Sequence, residues 1–240
     1  MGAKEPMEPH EFIDFQCPYC RQPLSFPQGD SGVLRDCPFC SRSIVVPGEA
    51  DQLAAGLKLP FSTERLLLRR LESIDREDLL ELMADAETFR FLEWAPMNAE
   101  EVEDWIKTGE NASLATPGGQ MPLAVSMVSS VKTIGFVNLY SSASVPRQGG
   151  FTILIHPQVR KQGLGTEAIR GVLRFAFESL QWRRVAVGFD SRNAAAARML
   201  EKAGMRCEGE FMKDAFLKGE WVNTLWFAML AEEFVEATPG

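Results

Sequence analysis

The sequence predicts an α/β protein of the α+β kind, in which a small N-terminal domain precedes a large domain of strands and helices. Two observations lead to this prediction. The segment 151–180 contains a strand rich in β-branched residues, a turn with two glycines and a long amphipathic helix. Ahead of it, two C-x-x-C pairs lie within the first 40 residues, and a stretch with glycine and proline at both ends, typical of a linker, follows them.

The composition limits the classes of protein that fit. The chain has 240 residues, of which 45% are hydrophobic, so it can bury a full core. Its net charge of −8 argues against general nucleic-acid binding, because such proteins present a basic surface. No apolar run is long enough to span a bilayer, and the first residues lack the apolar core of a signal peptide. We therefore expect a cytoplasmic protein whose partners include neither nucleic acid nor a membrane.

The N-terminal cysteines have the spacing of a zinc site. Sixteen residues separate Cys17-Pro-Tyr-Cys20 from Cys37-Pro-Phe-Cys40, which matches the four-thiolate zinc pattern. A disulfide pair or two unrelated thiol motifs are the alternatives, and a redox C-x-x-C would need a βαβ unit that does not follow here. Four thiolates leave no open position on the metal, so we expect the zinc to be structural and to supply folding free energy that a small core lacks.

These patterns divide the chain into five parts. We predict a flexible lead-in over 1–10, a zinc ribbon over 11–47, a linker over 48–61, the large domain over 62–236 and a tail over 237–240. Within the large domain, strands are predicted over 63–71, 121–128, 133–140, 151–155 and 184–189. Helices are predicted after Asp75 as N-cap, over 98–110, from the glycine pair to Leu180, and after Asn193.

The glycine pair at the start of the long helix predicts an anion site. Bare backbone amides and the helix dipole favour phosphate oxygens there, and Arg160 adds a positive charge. Gly163 to Ala168 fits the G-x-G-x-x-A dinucleotide fingerprint, with Asp190 as a ribose-binding acid. In that fold, however, the first glycine follows the strand almost directly, whereas here 156–162 intervene, which disfavours a nucleotide-dependent oxidoreductase.

Arg160-Lys-Gln-Gly163-Leu-Gly165 instead resembles the R/Q-x-x-G-x-G/A motif with which the GNAT superfamily of N-acetyltransferases binds the coenzyme A pyrophosphate. The following segment resembles the RimJ/RimL-type branch of that superfamily, and the likeness extends from about residue 62 to 234. The branch positions that match are Asn193, Glu201, Lys202 and Gly204. Ala196 and Met205 depart from the branch, and Leu200 stands where other members of the superfamily carry a tyrosine.

This resemblance implies a mixed, largely antiparallel sheet flanked by helices, and an acetyltransferase that moves an acetyl group from acetyl-CoA directly to a primary amine in a ternary complex. The acceptor is a protein N-terminus or a small amine, and an amide at Leu154 or Ile155 would polarise the thioester carbonyl. The positions assigned to acetyl-CoA are Leu154, Ile155, Arg160, Lys161, Gln162, Gly163, Leu164, Gly165, Thr166 and Asn193.

Proton transfer is less well specified by the sequence. Glu93 and Asp190 are candidates for the base, although each also fits a surface or capping acid. Ala196 and Leu200 stand where the superfamily carries a serine or tyrosine acid, so a weakly active or inactive acyl-CoA sensor, with the zinc ribbon as a protein-binding adaptor, is the alternative function. Cys207 is expected to be a buried small hydrophobe with no nucleophilic role.

Overall fold

The computed structural model describes residues 12–17, 20, 22–27, 30, 34–41, 43–45, 59–110, 112–114, 116–130 and 132–234. The chain forms two compact units, Met1–Gly56 and Leu57–Gly240. The predicted lead-in and tail, and most of the predicted linker, lie outside the described residues, so these boundaries stay predictions.

The N-terminal unit contains two short hairpins. Strand β1 (Phe12–Gln16) pairs antiparallel with β2 (Pro23–Pro27), and β3 (Leu34–Asp36) pairs antiparallel with β4 (Ser43–Val45). Each C-x-x-C pair begins directly after the first strand of a hairpin. Two hairpin turns therefore carry the four sulfurs, as a zinc ribbon requires.

The C-terminal unit is built on an eight-stranded sheet with the order β11-β12-β10-β9-β8-β7-β6-β5. All neighbouring strands pair antiparallel except β9 and β10, which are parallel. The strands are β5 (Phe61–Ser62), β6 (Leu66–Arg70), β7 (Gln120–Met127), β8 (Thr133–Ser141), β9 (Gln148–Ile155), β10 (Arg184–Asp190), β11 (Arg206–Leu217) and β12 (Glu220–Leu230).

Helices cover both faces of this sheet. Helices α1 (Arg76–Met83) and α2 (Ala99–Glu110) bury their apolar faces against Phe136 and Leu154. Helices α3 (Leu164–Arg174) and α4 (Ala194–Ala203) pack with Ile155 on the opposite face. The mixed, largely antiparallel sheet between two helical layers confirms the predicted fold class. None of the helices in the described ranges is long and apolar enough to cross a membrane.

Two local predictions hold in part, and one was wrong. The long helix ends its α-helical part at Arg174 and continues as a π-helical turn, Phe175–Ser179. Asp75 is the N-cap residue of α1, as predicted, but its carboxylate makes no capping hydrogen bond to that helix; it accepts two hydrogen bonds of 2.7 Å from Arg69. Cys207 lies in the edge strand β11, yet it is exposed, because both faces of this strand are largely uncovered.

Candidate active site

Strands β9 and β10 separate soon after they meet. Two parallel pairs join them, Arg184 with Gln148 and Val185 with Gly149. Each strand continues for at least five residues beyond its last pair. The edge of β9 beyond Gly149 is thus left without a strand partner, and the two diverging strands form the walls of a cleft in the sheet.

The hydrogen-bond pattern shows which amides of β9 face this cleft. The amide of His156 donates to the carbonyl of Ile134 over 2.8 Å, toward β8. Backbone groups alternate in direction along an antiparallel strand, and the β8–β9 register is regular, so the amide of Leu154 also points to β8. The amides of Ile153 and Ile155 point into the cleft. Of the two amides predicted to polarise a carbonyl, that of Ile155 is the one directed there.

The predicted anion loop ends in an open helix start. Gly163 is the N-cap of α3 and has φ of +81°, a conformation that glycine adopts without a steric penalty. The amide of Glu167 is the first that bonds within the helix, to the carbonyl of Gly163 over 3.0 Å. The amides of Leu164, Gly165 and Thr166 therefore lack intrahelical partners and, with the helix dipole, favour an anion.

Neighbouring residues hold this loop in place. Arg65 donates from its Nη1 to the carbonyl of Gln162 over 3.1 Å and from its Nε to Glu167 over 2.7 Å. A β-carbon at Gly165 would lie 2.3 Å from Sδ of Met199, so glycine permits the close approach of α3 and α4. The side chains most accessible to a ligand here are those of Arg160, Lys161 and Gln162, all exposed.

Arg160 is already engaged by the protein. Its Nε donates to the carbonyl of Ile155 over 2.9 Å, and its Nη2 donates to Oγ1 of Thr88 over 2.7 Å. Thr88 in turn donates to Asp85 over 2.5 Å. The guanidinium thus connects the end of β9 to the segment that follows α1, in addition to bringing positive charge to the loop.

A pocket of about 590 Å³ opens beside the same helix start. Cationic and acidic side chains both line it, with Arg170 and Lys202 among the cations and Glu64 and Glu233 among the acids. On α4, Oδ1 of Asn193 accepts from the amide of Ala196 over 3.1 Å, which confirms the predicted N-cap. Within the described chain the Asn193 Nδ2 makes no hydrogen bond.

The two predicted bases have different surroundings. Asp190 is 5% exposed and forms an ion pair of 2.6 Å with Arg192. Burial raises the pKa of Asp190, but the hydrogen bonds from Arg192 outweigh it and hold that pKa below its ordinary value. Glu93 is exposed, and its carboxylate has no hydrogen-bond or ion-pair partner among the described residues. Asp190 is therefore a weak proton acceptor.

Aromatic rings cover both sides of the glycine pair at the point where the cleft opens. A β-carbon at Gly149 would lie 2.2 Å from the ring of Trp182, and one at Gly150 would lie 2.5 Å from the hydroxyl of Tyr140. The same Gly150 β-carbon would lie 2.3 Å from the carbonyl oxygen of Ala186. Sequence reasoning missed Tyr140. Because side chains alternate between the two faces of a strand, its position four residues after Phe136 in β8 indicated that both rings lie on the same face.

A buried acceptor lies on this face too. Nδ2 of Asn138 donates to Oε1 of Gln120 over 2.8 Å, while Oδ1 of Asn138 is buried without a hydrogen-bond partner in the described chain. Thr152 stands opposite Asn138 on β9. Buried polar atoms are nearly always paired, so this oxygen is a candidate acceptor for a ligand N–H.

In the N-terminal unit, the four cysteine sulfurs form one cluster, all within 4.8 Å of one another. Sγ of Cys17 is 3.8 Å from that of Cys40, and Sγ of Cys20 is 3.7 Å from that of Cys37. These separations are nearly twice the length of a disulfide bond. The Gln22 backbone lowers the pKa of Cys20, but burial and the hydrogen bonds with the other three thiols outweigh it and raise that pKa to about 12.

Three features of this site are typical of an acyl-CoA-dependent transferase: the parallel strand pair that splits, the open edge of β9 and the helix N-terminus with free amides. The family described as Acetyltransferase (GNAT) domain matches residues 65–206. The chain belongs to this GNAT acetyltransferase family.

Relatives agree with that assignment. The chain is 28% identical over 108 residues to spermidine N(1)-acetyltransferase of Escherichia coli K12, a match that covers 44% of this chain and 58% of that protein. It thus spans less than two thirds of that relative. It is 23% identical over 178 residues to the uncharacterized N-acetyltransferase YnaD of Bacillus subtilis, covering 72% of this chain and 98% of YnaD.

Solved structures share the fold. A GNAT-family acetyltransferase from Bacillus anthracis aligns with a TM-score of 0.66 at 21% identity, covering 72% of this chain and 99% of that one. Spermidine N-acetyltransferase from Vibrio cholerae, in complex with CoA and spermine, aligns with a TM-score of 0.61 at 21% identity, covering 71% and 98%. The antiparallel sheet and these alignments exclude the dinucleotide-binding fold considered from the sequence.

Proposed function

We propose that the protein transfers an acetyl group from acetyl-CoA directly to a primary amine, within a ternary complex. One observation carries this proposal: the cleft between β9 and β10 has a row of unpaired strand amides along its wall and an open helix N-terminus at its end. An extended pantetheine arm joined to a diphosphate has complementary groups in the same order.

In this arrangement the diphosphate lies on the amides of 164–166, near Lys161 and Gln162. The nucleotide end extends toward the 590 Å³ pocket, where Arg170 and Lys202 offer positive charge. At the other end of α4, Asn193 Nδ2 is a further donor for the cofactor. The pantetheine amides pair with the edge of β9. The amide of Ile155 pairs with the pantetheine arm, and the amide of Ile153 donates to the thioester carbonyl oxygen, on which negative charge develops during attack.

The acceptor approaches from the face of α1 and α2. The amine must lose a proton before attack, and Glu93 is the candidate that is available to accept it through water. Asp190 fits this role less well, because Arg192 holds its pKa low. The net charge of −8 and the spermidine-acetylating relative favour a small cationic amine, with a protein N-terminus as the other class of acceptor.

We also propose that Cys17, Cys20, Cys37 and Cys40 bind a structural zinc ion. Tetrahedral coordination with Zn–S bonds of about 2.3 Å places sulfurs about 3.8 Å apart. The Cys17–Cys40 and Cys20–Cys37 separations of 3.8 and 3.7 Å fit this geometry. A zinc ion with four thiolates would supply folding free energy to the N-terminal unit and take no part in acetyl transfer.

The second candidate function is an acyl-CoA sensor or adaptor with little catalysis. Ala196 and the buried Leu200 offer no acid at the two positions where the resemblance expects one, which is the observation that favours it. In this case the zinc unit would bind a partner protein while the C-terminal unit binds acyl-CoA.

A single experiment separates the two candidates. Zinc-loaded protein is incubated with acetyl-CoA and a panel of polyamines, other small amines and N-terminal peptides, while thiol release and product mass are followed. Product on any amine supports the transferase. Tight CoA binding by calorimetry without product on the whole panel would favour the sensor, and absence of CoA binding would contradict both.

A further inference from the structure

The hydroxyl of Tyr140 lies at the point where the cleft opens. Tyr140 is opposite Gly150 in the β8–β9 register. Both the Tyr140 hydroxyl and the Ala186 carbonyl lie within 2.5 Å of the position that a Gly150 β-carbon would occupy, so the two oxygens are close neighbours. Ala186 is the first residue of β10 past its last pair with β9. The phenol therefore bridges the two strands where they diverge.

This hydroxyl is available to a ligand. In the described part of the chain it makes no hydrogen bond, although the ring is largely covered. Burial raises the pKa of Tyr140 above its ordinary value, so the phenol is protonated at neutral pH and acts as a donor. Glycine at 150 is what allows the ring to lie across the strand, because any side chain there would displace it.

The cleft directs a thioester toward this donor. An arm that starts at the N-terminus of α3 and pairs with Ile155 and Ile153 runs along β9 from the C-terminal end of the strand toward Gly150. A strand advances about 3.4 Å per residue, so an arm of a few such steps brings its end near Phe151 and Thr152. The sulfur then lies at the point where β9 and β10 diverge, close to the Tyr140 hydroxyl.

We propose that Tyr140 is a catalytic residue that donates its phenolic proton to the coenzyme A sulfur as the thioester C–S bond breaks. This inference rests on the proposed acetyl transfer and deepens it. The amine nitrogen forms the new bond to the carbonyl carbon and the electron pair of the C–S bond goes to sulfur. Sulfur takes the proton of Tyr140, and the proton lost by the amine returns to the tyrosinate through water.

The first test is Tyr140→Phe, which keeps the ring against Gly150. We expect kcat to fall about 10- to 100-fold, at the lower end of acid catalysis because a thiolate is a fair leaving group, with the KM for acetyl-CoA changed less than about twofold. Wild-type turnover by the variant would overturn the proposal. Equal melting temperatures of the two proteins exclude a folding defect.

A pH readout separates proton donation from packing. Replacing Tyr140 by a fluorinated tyrosine lowers the pKa of the phenol while preserving its shape. We expect the alkaline limb of the kcat profile to move to lower pH in parallel with the phenol. A limb that does not move would contradict the proposal, since packing alone has no reason to follow the acidity of the hydroxyl.

A third measurement needs no turnover. The chain has two tyrosines, so in a Tyr19→Phe variant the phenol absorbance reports Tyr140 alone. We expect CoA to shift the phenol titration and desulfo-CoA, which lacks the thiol, to leave it closer to that of the unliganded protein. If both ligands bind with the same effect, Tyr140 does not contact sulfur and the proposal fails. If CoA shifts the titration but no amine is acetylated, the transferase function fails separately.

Discussion

Glu167, in the first turn of α3, accepts hydrogen bonds from both the backbone amide and the Nε of Arg65, at 2.8 and 2.7 Å. The two residues are 102 positions apart. Because Arg65 also donates to the carbonyl of Gln162, the residue just before β6 fixes the loop that we assign to the diphosphate. A preorganised loop loses less conformational entropy when an anion binds.

Glu167→Gln is expected to weaken acetyl-CoA binding more than it slows chemistry. The substitution keeps one acceptor oxygen but removes the charge that aligns Arg65, so the loop becomes less ordered. We expect the KM for acetyl-CoA to rise several-fold with kcat changed less than about twofold. Steady-state kinetics and CoA calorimetry check this. Glu178→Gln, on the exposed side of the following π-helical turn, is the control and should behave as wild type; equal effects from both would argue against a specific role.

Gly150→Ala should disturb the narrow end of the cleft, where β9 and β10 diverge. Its β-carbon would lie 2.3 Å from a backbone oxygen and 2.5 Å from the Tyr140 hydroxyl, and backbone atoms do not yield easily. Overpacking of this kind costs about 1–3 kcal/mol, and we expect turnover to fall as well.

The matched control is Gly209→Ala, because a β-carbon at Gly209 meets no atom within 4 Å. Urea unfolding and acetyl-transfer assays of the two variants should separate them, with the control within about 0.5 kcal/mol of wild type. Equal stability and activity of the two variants would show that the close contacts at Gly150 are not limiting.

Removal of zinc should unfold the N-terminal unit. The small cluster around Cys17, Leu24 and Cys37 buries too little apolar surface to persist alone, so the metal is expected to carry the folding free energy. We expect one zinc per chain by elemental analysis, and loss of a calorimetric transition after strong chelation while the transition of the C-terminal unit remains. Cys17→Ser should lose the metal, whereas Cys207→Ser should retain it. Metal-free protein with cysteine disulfides would contradict the assignment.

Asp75→Asn should lower the stability of the C-terminal unit substantially. Asp75 is 1% exposed and accepts from Arg69 and from Oγ1 of Thr133, the latter over 2.5 Å. Removing one partner of such a buried pair leaves an unpaired charge, at a cost of about 3–5 kcal/mol. Urea unfolding at neutral pH measures this. Asp104→Asn, at an exposed site on α2, is the control and should change stability little.

The same pair predicts a dependence on acidity. Burial raises the pKa of Asp75, but the hydrogen bonds from Arg69 and Thr133 outweigh it and lower that pKa below its ordinary 3.8. The stabilisation is therefore complete above the ordinary pKa and is lost as pH falls through the lower, folded-state pKa. Wild type should lose stability over this acidic range, and Asp75→Asn should lose less of it. Parallel pH profiles would contradict the prediction.

Local patterns in the sequence were sufficient to predict most of the strands and helices and the exposed loop at Gly163. Periodicity and glycine placement act over a few residues, which is why they can be read directly. The hydrogen bond from Arg160 to Thr88 joins two turns that are 72 positions apart, and the contact of Tyr140 with Gly150 joins two neighbouring strands. No local signal encodes either of them. Asp75 shows that even a short-range pattern can be ambiguous. The carboxylate of an aspartate before a helix can cap the helix or form an ion pair, and here Arg69 on β6 decides for the ion pair.

Only two residue pairs join β9 to β10 in the described sheet. The eight strands are therefore divided into a part of five strands and a part of three, with a weak junction between them. Helix α3 lies between those two strands in the chain, and its buried face belongs to one hydrophobic cluster with residues of both strands. A ligand that pairs with the free edge of β9 would fill the cleft and restrict the relative motion of the two parts of the sheet. We therefore expect amide hydrogen exchange at Ile153 and Ile155 to slow when CoA binds. The stiffness of this sheet would then be set by its ligand as well as by its own backbone.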